Sequence, residues 1–265
     1  MNKEIITIII VVIILIIFYI IYSYIRDNID TNNHKINEFL TNHCQDPAVF
    51  NTNEFEWTKK FRNNWKSIRN EYFEYTNKYS VPNYKDINAI TASCDVNNGW
   101  KSLFLRIFGV DTDAAKLFPK TMKLINSCPC TLAFFSVFEP GTKLKPHVGV
   151  YKGVIRYHLP IIIPDDWHKC FINVNGQVLN WKEGEDLMFD DMFLHYAENN
   201  TKQQRVVLFL DIKRDFKNFF INIFNTLILG CIKSNDILQD TVSKANSSNK
   251  NSIESANKQI LHDNQ

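Results

Sequence analysis

Val154-Ile-Arg156-Tyr-His158-Leu-Pro160-Ile-Ile-Ile163 carries the strongest fold signal in the chain. The run is apolar and rich in β-branched residues. Gly153 bounds it on one side and the turn signal Pro164-Asp-Asp on the other, which predicts a buried strand. Two polar residues interrupt it. Arg156 and His158 are two positions apart, so a strand turns both to the same face. Cationic groups on the inner face of a sheet need an anionic partner, because burying them unpaired is costly. A dicarboxylate ligand would supply that partner. An exposed edge position for Arg156 would remove the need for one.

Similar runs recur on both sides. Leu132–Phe138, Cys170–Val174, Gln177–Trp181, Leu187–Phe189 and Arg205–Ile212 are short stretches of β-formers. Between them lie Glu139-Pro-Gly, Asn175-Gly176 and Lys182-Glu-Gly-Glu, of which Asn-Gly is the strongest two-residue hairpin signal. Many short strands at this spacing predict a mainly β sandwich or jelly-roll barrel. Upstream, spaced aromatics over residues 54–78 predict an amphipathic helix. Residues 79–99 read as loop, Trp100–Phe108 as a strand, and Asp113–Asn126 as a helix with Asp113 as a possible N-cap.

The ends differ from this middle. Residues 5–25 hold no charge and are almost wholly Ile, Val, Leu, Phe and Tyr. Roughly 20 apolar residues cross a bilayer core, so residues 1–26 read as one transmembrane helix. Tyr22, Tyr24 and Arg26 follow instead of small residues, which favours an uncleaved signal-anchor over a cleaved signal peptide. The flanking charges, Lys3 against Arg26 and Lys35 diluted by Asp27 and Asp30, leave open the side on which the β-rich domain lies. Glycosylation at Asn199-Asn-Thr or Asn246-Ser-Ser would place the barrel in a secretory lumen. Residues 27–53 read as a linker. Residues 215–233 read as an amphipathic or membrane-associated helix, with Phe216, Phe219, Phe220, Ile223, Phe224, Leu227, Ile228 and Cys231 on one stripe and Lys217, Asn218, Asn222 and Asn225 opposite. The Ser/Asn/Lys-rich residues 234–265 read as a disordered tail. Net charge of +2 argues against a nucleic-acid partner. The six cysteines lack zinc-ligand spacing and read as free thiols.

Within the 54–214 domain, the candidate chemistry rests on polar residues in β contexts. His147 lies in Lys-Pro-His-Val-Gly149, and His195 closes Phe189-Asp-Asp-Met-Phe-Leu-His. Imidazole is a common ligand for ferrous iron, and the usual oxygenase triad adds a carboxylate two residues after the first histidine. Gly149 stands at that position. Arg205 opens its strand with a planar fork suited to a carboxylate, and Ser136 is a lone hydroxyl among aromatics.

Taken in order, Glu139-Pro-Gly-Thr, Pro146-His147-x-Gly149, Arg156-Tyr-His158-Leu, Trp181-x-x-Gly184-Glu, Phe189-Asp-Asp-x-x-x-His195 and Arg205-Val-Val-Leu-Phe-Leu-Asp-Ile resemble the aspartyl/asparaginyl beta-hydroxylase family across residues 64–233. The resemblance implies a double-stranded β-helix, or jelly roll, with flanking helices. It implies Fe(II) held by His147 and His195, and 2-oxoglutarate held by Ser136, Arg156, His158 and Arg205. Gly149 is similar to the animal aspartyl hydroxylases, where water fills the third protein position. The bacterial lipid A hydroxylase branch carries aspartate there. Yet Asn64-Trp-Lys-Ser-Ile-Arg, Gly99-Trp-Lys, Asn175-Gly-Gln, Gly184-Glu-Asp and the helix after Asp211-Ile-Lys-Arg resemble that lipid branch.

The implied protein is a membrane-anchored 2-oxoglutarate-dependent dioxygenase that hydroxylates an unactivated C–H bond. Its expected substrate is peptidyl Asp or Asn. The alternatives are a lipid acyl chain, or no turnover at all in a membrane-tethered β-barrel that only binds. A peptide, protein or lipid substrate and the lipid bilayer are the expected partners.

Overall fold

Eleven strands pair antiparallel in two sheets in the computed structural model, which describes residues 4–9, 11–13, 16, 19, 23, 28–89 and 91–263. They are β1 (Val49–Phe50), β2 (Trp100–Ile107), β3 (Val110–Asp111), β4 (Cys130–Phe138), β5 (Lys143–His147), β6 (Val154–Ile162), β7 (Cys170–Val174), β8 (Gln177–Asn180), β9 (Leu187–Phe189), β10 (His195–Asn199) and β11 (Arg205–Lys213). The larger sheet has the order β1-β9-β6-β11-β4-β2-β3 and the smaller β5-β10-β7-β8. Among the described residues from 28 onward, five α-helices flank them: α1 (Ile29–Asn42), α2 (Glu56–Thr76), α3 (Pro119–Ile125), α4 (Phe219–Lys233) and α5 (Asp236–Asp263).

Period-2 alternation decides what each face of the larger sheet buries. Phe135 and Val137 of β4, Tyr157 and Leu159 of β6, and Leu208 and Leu210 of β11 turn outward, where Phe61, Ile68 and Tyr72 of α2 and Met122 of α3 cover them. Phe134 and Phe138, Phe189, and Val207 and Phe209 turn inward against Leu144, Ile172, Val174 and Ala197 of the smaller sheet. Both faces are therefore apolar, which explains why these strands read as near-continuous hydrophobic runs. The architecture is a jelly-roll sandwich, mainly β, with helices packed on the outside of one sheet. At the Asn175-Gly176 hairpin both residues have positive φ (50° and 81°), as a two-residue turn between β7 and β8 demands.

Several expectations change at the ends. The transmembrane signal-anchor is not upheld: among the described residues no helix is long and apolar enough to cross a membrane. Residues 4–9 and 11–13 are helical and carry exposed Ile and Val side chains. The rest of the expected anchor lies largely outside the described residues. Part of the presumed linker is helical instead. α1 buries Ile36 and Leu40 against Phe216, Ile221 and Ile228. The tail expected to lack order forms α5, whose Leu238, Val242 and Ala245 are buried in the inter-sheet cluster's outer margin near β2. These three apolar residues recur at helical spacing, a signal diluted by the Ser/Asn-rich composition, and Asn246 Oδ1 adds a bond from Asp113 N. The helix expected over 113–126 is divided. Residues Asp113–Leu117 make a 3-10 turn and α3 begins at Pro119. Proline disfavours helical geometry in the residue before it, and Phe118 sits at φ −126°, ψ 54°.

α4 also turns differently. Its packed face is Ile221, Asn225, Ile228 and Cys231, while Phe219, Phe220, Ile223 and Leu227 are exposed. Asn225 enters the core because its amide serves backbone groups there: it donates to Gly153 O (2.9 Å) and Arg214 O (3.2 Å) and accepts from the Tyr151 hydroxyl (2.6 Å). All six cysteines are free thiols.

The Asn199-Asn-Thr sequon is structural in the folded chain. Asn199 is fully buried and its amide donates to the carbonyls of Phe138, Glu139 and Gln203. Asn199→Ala strands those carbonyls and is expected to cost about 2–3 kcal/mol, read as a lowered melting temperature. An unchanged melting temperature would show that the three bonds are dispensable.

Candidate metal and cofactor site

Register across the smaller sheet brings the two histidines together. His195 of β10 is the direct partner of His147 of β5, and their ring centroids stand 4.3 Å apart. One metal ion bound about 2.1 Å from each nitrogen can bridge such a pair. Each ring is oriented by its own strand. Nδ1 of His147 lies 2.7 Å from Lys145 O and Nδ1 of His195 lies 2.9 Å from Phe193 O. A carbonyl can only accept, so both Nδ1 atoms carry the proton and both Nε2 lone pairs stay free to bind a metal. Burial lowers both pKa values, with the nearby Arg156 charge adding to it, and takes His195 down to about 3. Neutral imidazole is the form that ligates.

The larger sheet supplies the facing wall. Ser136, Arg156, His158 and Arg205 line the same cleft as the two histidines, with Trp100, Phe138, Trp181, Phe189 and Phe209 among its other walls. Trp181 Nε1 donates to His158 Nδ1 (3.3 Å), so the His158 proton sits on Nε2. That Nε2 is buried without a hydrogen-bond partner. Burial, then the charges of Arg205 and Arg156, hold His158 well below the usual histidine range. Arg205 is 1% exposed. Its guanidinium stacks on Phe138 (3.5 Å to the centroid) and Trp181 (4.5 Å) and donates to Ser136 O and Oγ. Its Nε has no partner, and it makes no carboxylate ion pair among the described residues. Burial pushes its pKa down to about 10, so it is cationic at neutral pH. Ser136 Oγ accepts from Trp100 Nε1 (2.9 Å) as well as from Arg205, leaving its own proton to donate. A buried cation and two unpartnered N–H donors in one cleft make a receptor for an anion.

Arg156 differs from the other three. Its Nη2 lies 2.8 Å from Asp191 Oδ2 and its Nε lies 3.1 Å from Asp211 Oδ1, while the guanidinium covers Phe209. The protein itself thus answers the need for an anionic partner that the strand pattern posed. Asp211 follows Arg205 by six residues on the same alternating face of β11, so the period-2 pattern that marked Arg205 also marked Asp211. Asp191 had no such signal, because it lies on a turn.

Asp191 occupies the space beside Gly149. A Cβ at 149 would stand 2.2 Å from the Asp191 Cγ and Oδ2, and Gly149 N donates to Asp191 O at 2.6 Å. The glycine is therefore a close-approach position, and its missing side chain leaves room for a carboxylate from elsewhere in the chain. Among the described residues no cluster of three His, Cys, Asp or Glu groups is arranged to hold a metal ion. The protein's donors at the pair are the two imidazoles.

A family model for aspartyl/asparaginyl beta-hydroxylase matches residues 62–215. The ornithine lipid ester-linked acyl 2-hydroxylase of Rhizobium tropici is 37% identical over 175 residues, which are 65% of this chain and 62% of that protein. The aspartyl/asparaginyl beta-hydroxylase of Homo sapiens is 28% identical over 167 residues, 59% of this chain and 21% of that protein. The chain thus spans less than two thirds of the length of either relative. A solved Cupin 2 conserved barrel domain protein of Salinispora arenicola aligns over 49% of this chain and 84% of that one, at 11% identity and a TM-score of 0.30, too faint a likeness to argue from.

Gly149→Ala forces its methyl group into Asp191 and is expected to lower stability by about 1–3 kcal/mol. If the contact is direct, Gly149→Ala combined with Asp191→Gly loses no more than Asp191→Gly alone in thermal unfolding. Additive losses would mean the two groups are not in contact.

Proposed function

The chain belongs to the aspartyl/asparaginyl beta-hydroxylase family, and from that premise we propose that it is an Fe(II)- and 2-oxoglutarate-dependent hydroxylase of a lipid acyl chain. The observation that carries the cofactor assignment is the meeting, in one cleft, of two imidazoles with free Nε2 atoms and the unpartnered donors of His158 and Arg205. His147 and His195 would hold the metal. Arg205, Ser136 and His158 would take the carboxylates of 2-oxoglutarate, each charge-assisted bond contributing about 1.5–3 kcal/mol. Arg156, already countered by Asp191 and Asp211, would stay at the wall of that site and keep the pocket's charge in balance. When bound, Fe(II) with 2-oxoglutarate and dioxygen supplies the oxidising power to hydroxylate an unactivated C–H bond, as the 2-oxo acid is converted to succinate and carbon dioxide.

The protein's own part is orientation and exclusion of water. The carbonyls of Lys145 and Phe193 fix the planes of the two imidazoles. Trp181 fixes the His158 tautomer, and the perpendicular rings of Trp181 and Phe138 both contact Arg205, so the guanidinium enters the cleft with little freedom left to lose. Leu144, Ile172, Phe189, Ala197 and Phe209 keep the remaining lining apolar.

Two observations support an acyl substrate. Identity is higher to the lipid acyl hydroxylase, at 37%, than to the human aspartyl/asparaginyl enzyme, at 28%. Val148 and Leu194, each next to one of the two histidines, and Val150, three residues past His147, expose 52%, 57% and 68% of their surface, so apolar side chains stand near the histidine pair. A peptidyl Asp or Asn substrate is the second reading. Gly149, the feature shared with the animal aspartyl hydroxylases, favours it.

With iron, ascorbate and 2-oxoglutarate, the purified chain is expected to form succinate and to add 16 Da to an ester-linked acyl lipid. Addition to an Asp- or Asn-bearing peptide alone would select the second reading, and no iron-dependent succinate would refute both. His147→Ala and His195→Ala are each expected to abolish metal binding, measured by equilibrium dialysis. Arg205→Ala is expected to raise the KM for 2-oxoglutarate on the order of 10- to 100-fold, and an unchanged KM would move the carboxylate site elsewhere.

A further inference from the structure

The geometry points to Asn37 of α1 as a positioning residue for the metal-site loop, a role that rests on the reading of His147 as a metal ligand. Residues 148–153 connect His147 at the end of β5 to β6. Their backbone has left the ladder, so each buried N–H and C=O must find a partner elsewhere. On the cleft side, Gly149 N takes Asp191 O. On the other side one side chain does the work of a neighbouring strand. Asn37 Nδ2 donates to Val150 O (2.9 Å) and Asn37 Oδ1 accepts from Lys152 N (2.9 Å). A single amide thus holds the C=O of one residue and the N–H of the residue two further on, the spacing of a strand pair. Asn33 Nδ2 adds a second donor to Val150 O (2.9 Å).

Asn37 is itself fixed. It is 9% exposed, and its neighbours Ile36 and Leu40 seat α1 in an apolar cluster with Tyr151, Phe216, Ile221 and Ile228. The loop is gripped again just beyond. Asn225 of α4 bonds Gly153 O and the Tyr151 hydroxyl, and Lys152 Nζ pairs with Asp190 Oδ2 (2.5 Å), in the segment that leads to His195. The loop therefore joins both histidine-bearing strands, and α1 holds its outer edge. The family model begins at residue 62, so the matched domain does not include this support. Loosening it frees the His147 end of the pair and the Gly149–Asp191 contact, without removing any group that touches metal or substrate.

The test uses the full chain and Co(II) as a visible-absorption probe of the histidine pair. Asn37→Ala is expected to weaken Co(II) binding about 10-fold. Asn37→Asp keeps the acceptor for Lys152 N but loses the donor to Val150 O, so an intermediate loss is expected. Ile36→Ala, on the same helix but in its apolar contact, serves as the control for simple destabilisation. It is expected to lower the melting temperature at least as much while leaving Co(II) affinity within about twofold of the parent chain. If Asn37→Ala does not fold, Asn37→Asp carries the comparison. Parent-like Co(II) affinity in the Asn37 variants would overturn the role, as would equal weakening by Ile36→Ala. Retention of Co(II) by both His147→Ala and His195→Ala would instead overturn the metal reading itself, whatever Asn37 does.

Discussion

Two consecutive buried carboxylates, Asp190 and Asp191, set the constraint on which the rest of the site depends. Neither can stay ionised in the core without a cation of its own, and each finds a different one. Asp190 takes Lys152 Nζ and Arg214 Nη2 at 2.5 and 2.8 Å, while Asp191 takes Arg156. The partners come from the 148–153 loop, from the end of β11 and from β6, so one short turn ties three distant segments. Burial pushes the Asp191 pKa up to about 6, even though the Arg156 charge beside it acts to lower it. Met192 N and Phe193 N close the turn onto Asp190, and Phe193 O then orients His195. Pairing of buried charge is thereby converted into the placement of an imidazole.

The opposite wall works by leaving charge unpaired. Arg205 is buried as deeply as the aspartates and the neutral His158 nearly so, yet the Arg205 charge has no carboxylate partner among the described residues and the His158 Nε2–H has no acceptor. Aromatic faces of Phe138 and Trp181 reduce the penalty for Arg205 without satisfying its donors. The cleft thus has a balanced side, where Arg156 meets two acids, and an unbalanced side that gains most from an incoming dicarboxylate. That asymmetry separates Arg156 from Arg205, although both arise from the same kind of strand pattern.

The helices outside the matched domain bear on the site through backbone contacts. α1 and α4 enclose an apolar cluster whose polar members, Asn37 and Asn225, are spent on the loop between β5 and β6. A buried amide is an economical device for this purpose, since it offers donor and acceptor together at the spacing a bare backbone segment presents.

The strands of the larger sheet were legible in the sequence. Cys130–Phe138, Val154–Ile162 and Arg205–Lys213 are buried on both faces, and burial on both faces leaves an uninterrupted apolar run. Arg156 and His158 stood out because they break such a run and Arg205 because it opens one, and strict alternation fixes which way they point. The strands that carry the histidines gave no such signal. Lys143-Leu-Lys-Pro-His147 and His195-Tyr-Ala-Glu-Asn199 are mixed and polar, because the residues they bury are Leu144 and Ala197 together with the polar His195 and Asn199. The two histidines were found through their spacing within longer motifs, without knowledge of the strands beneath them. Local sequence therefore determined the barrel's core, its hairpin and the residues able to do chemistry. Only the tertiary structure decided that Arg156 is neutralised from within, that Gly149 yields its space to Asp191, and that α4 buries an asparagine in place of its phenylalanines. Those outcomes depend on contacts between residues far apart in the chain, and periodicity along one segment carries no information about which distant group will meet it.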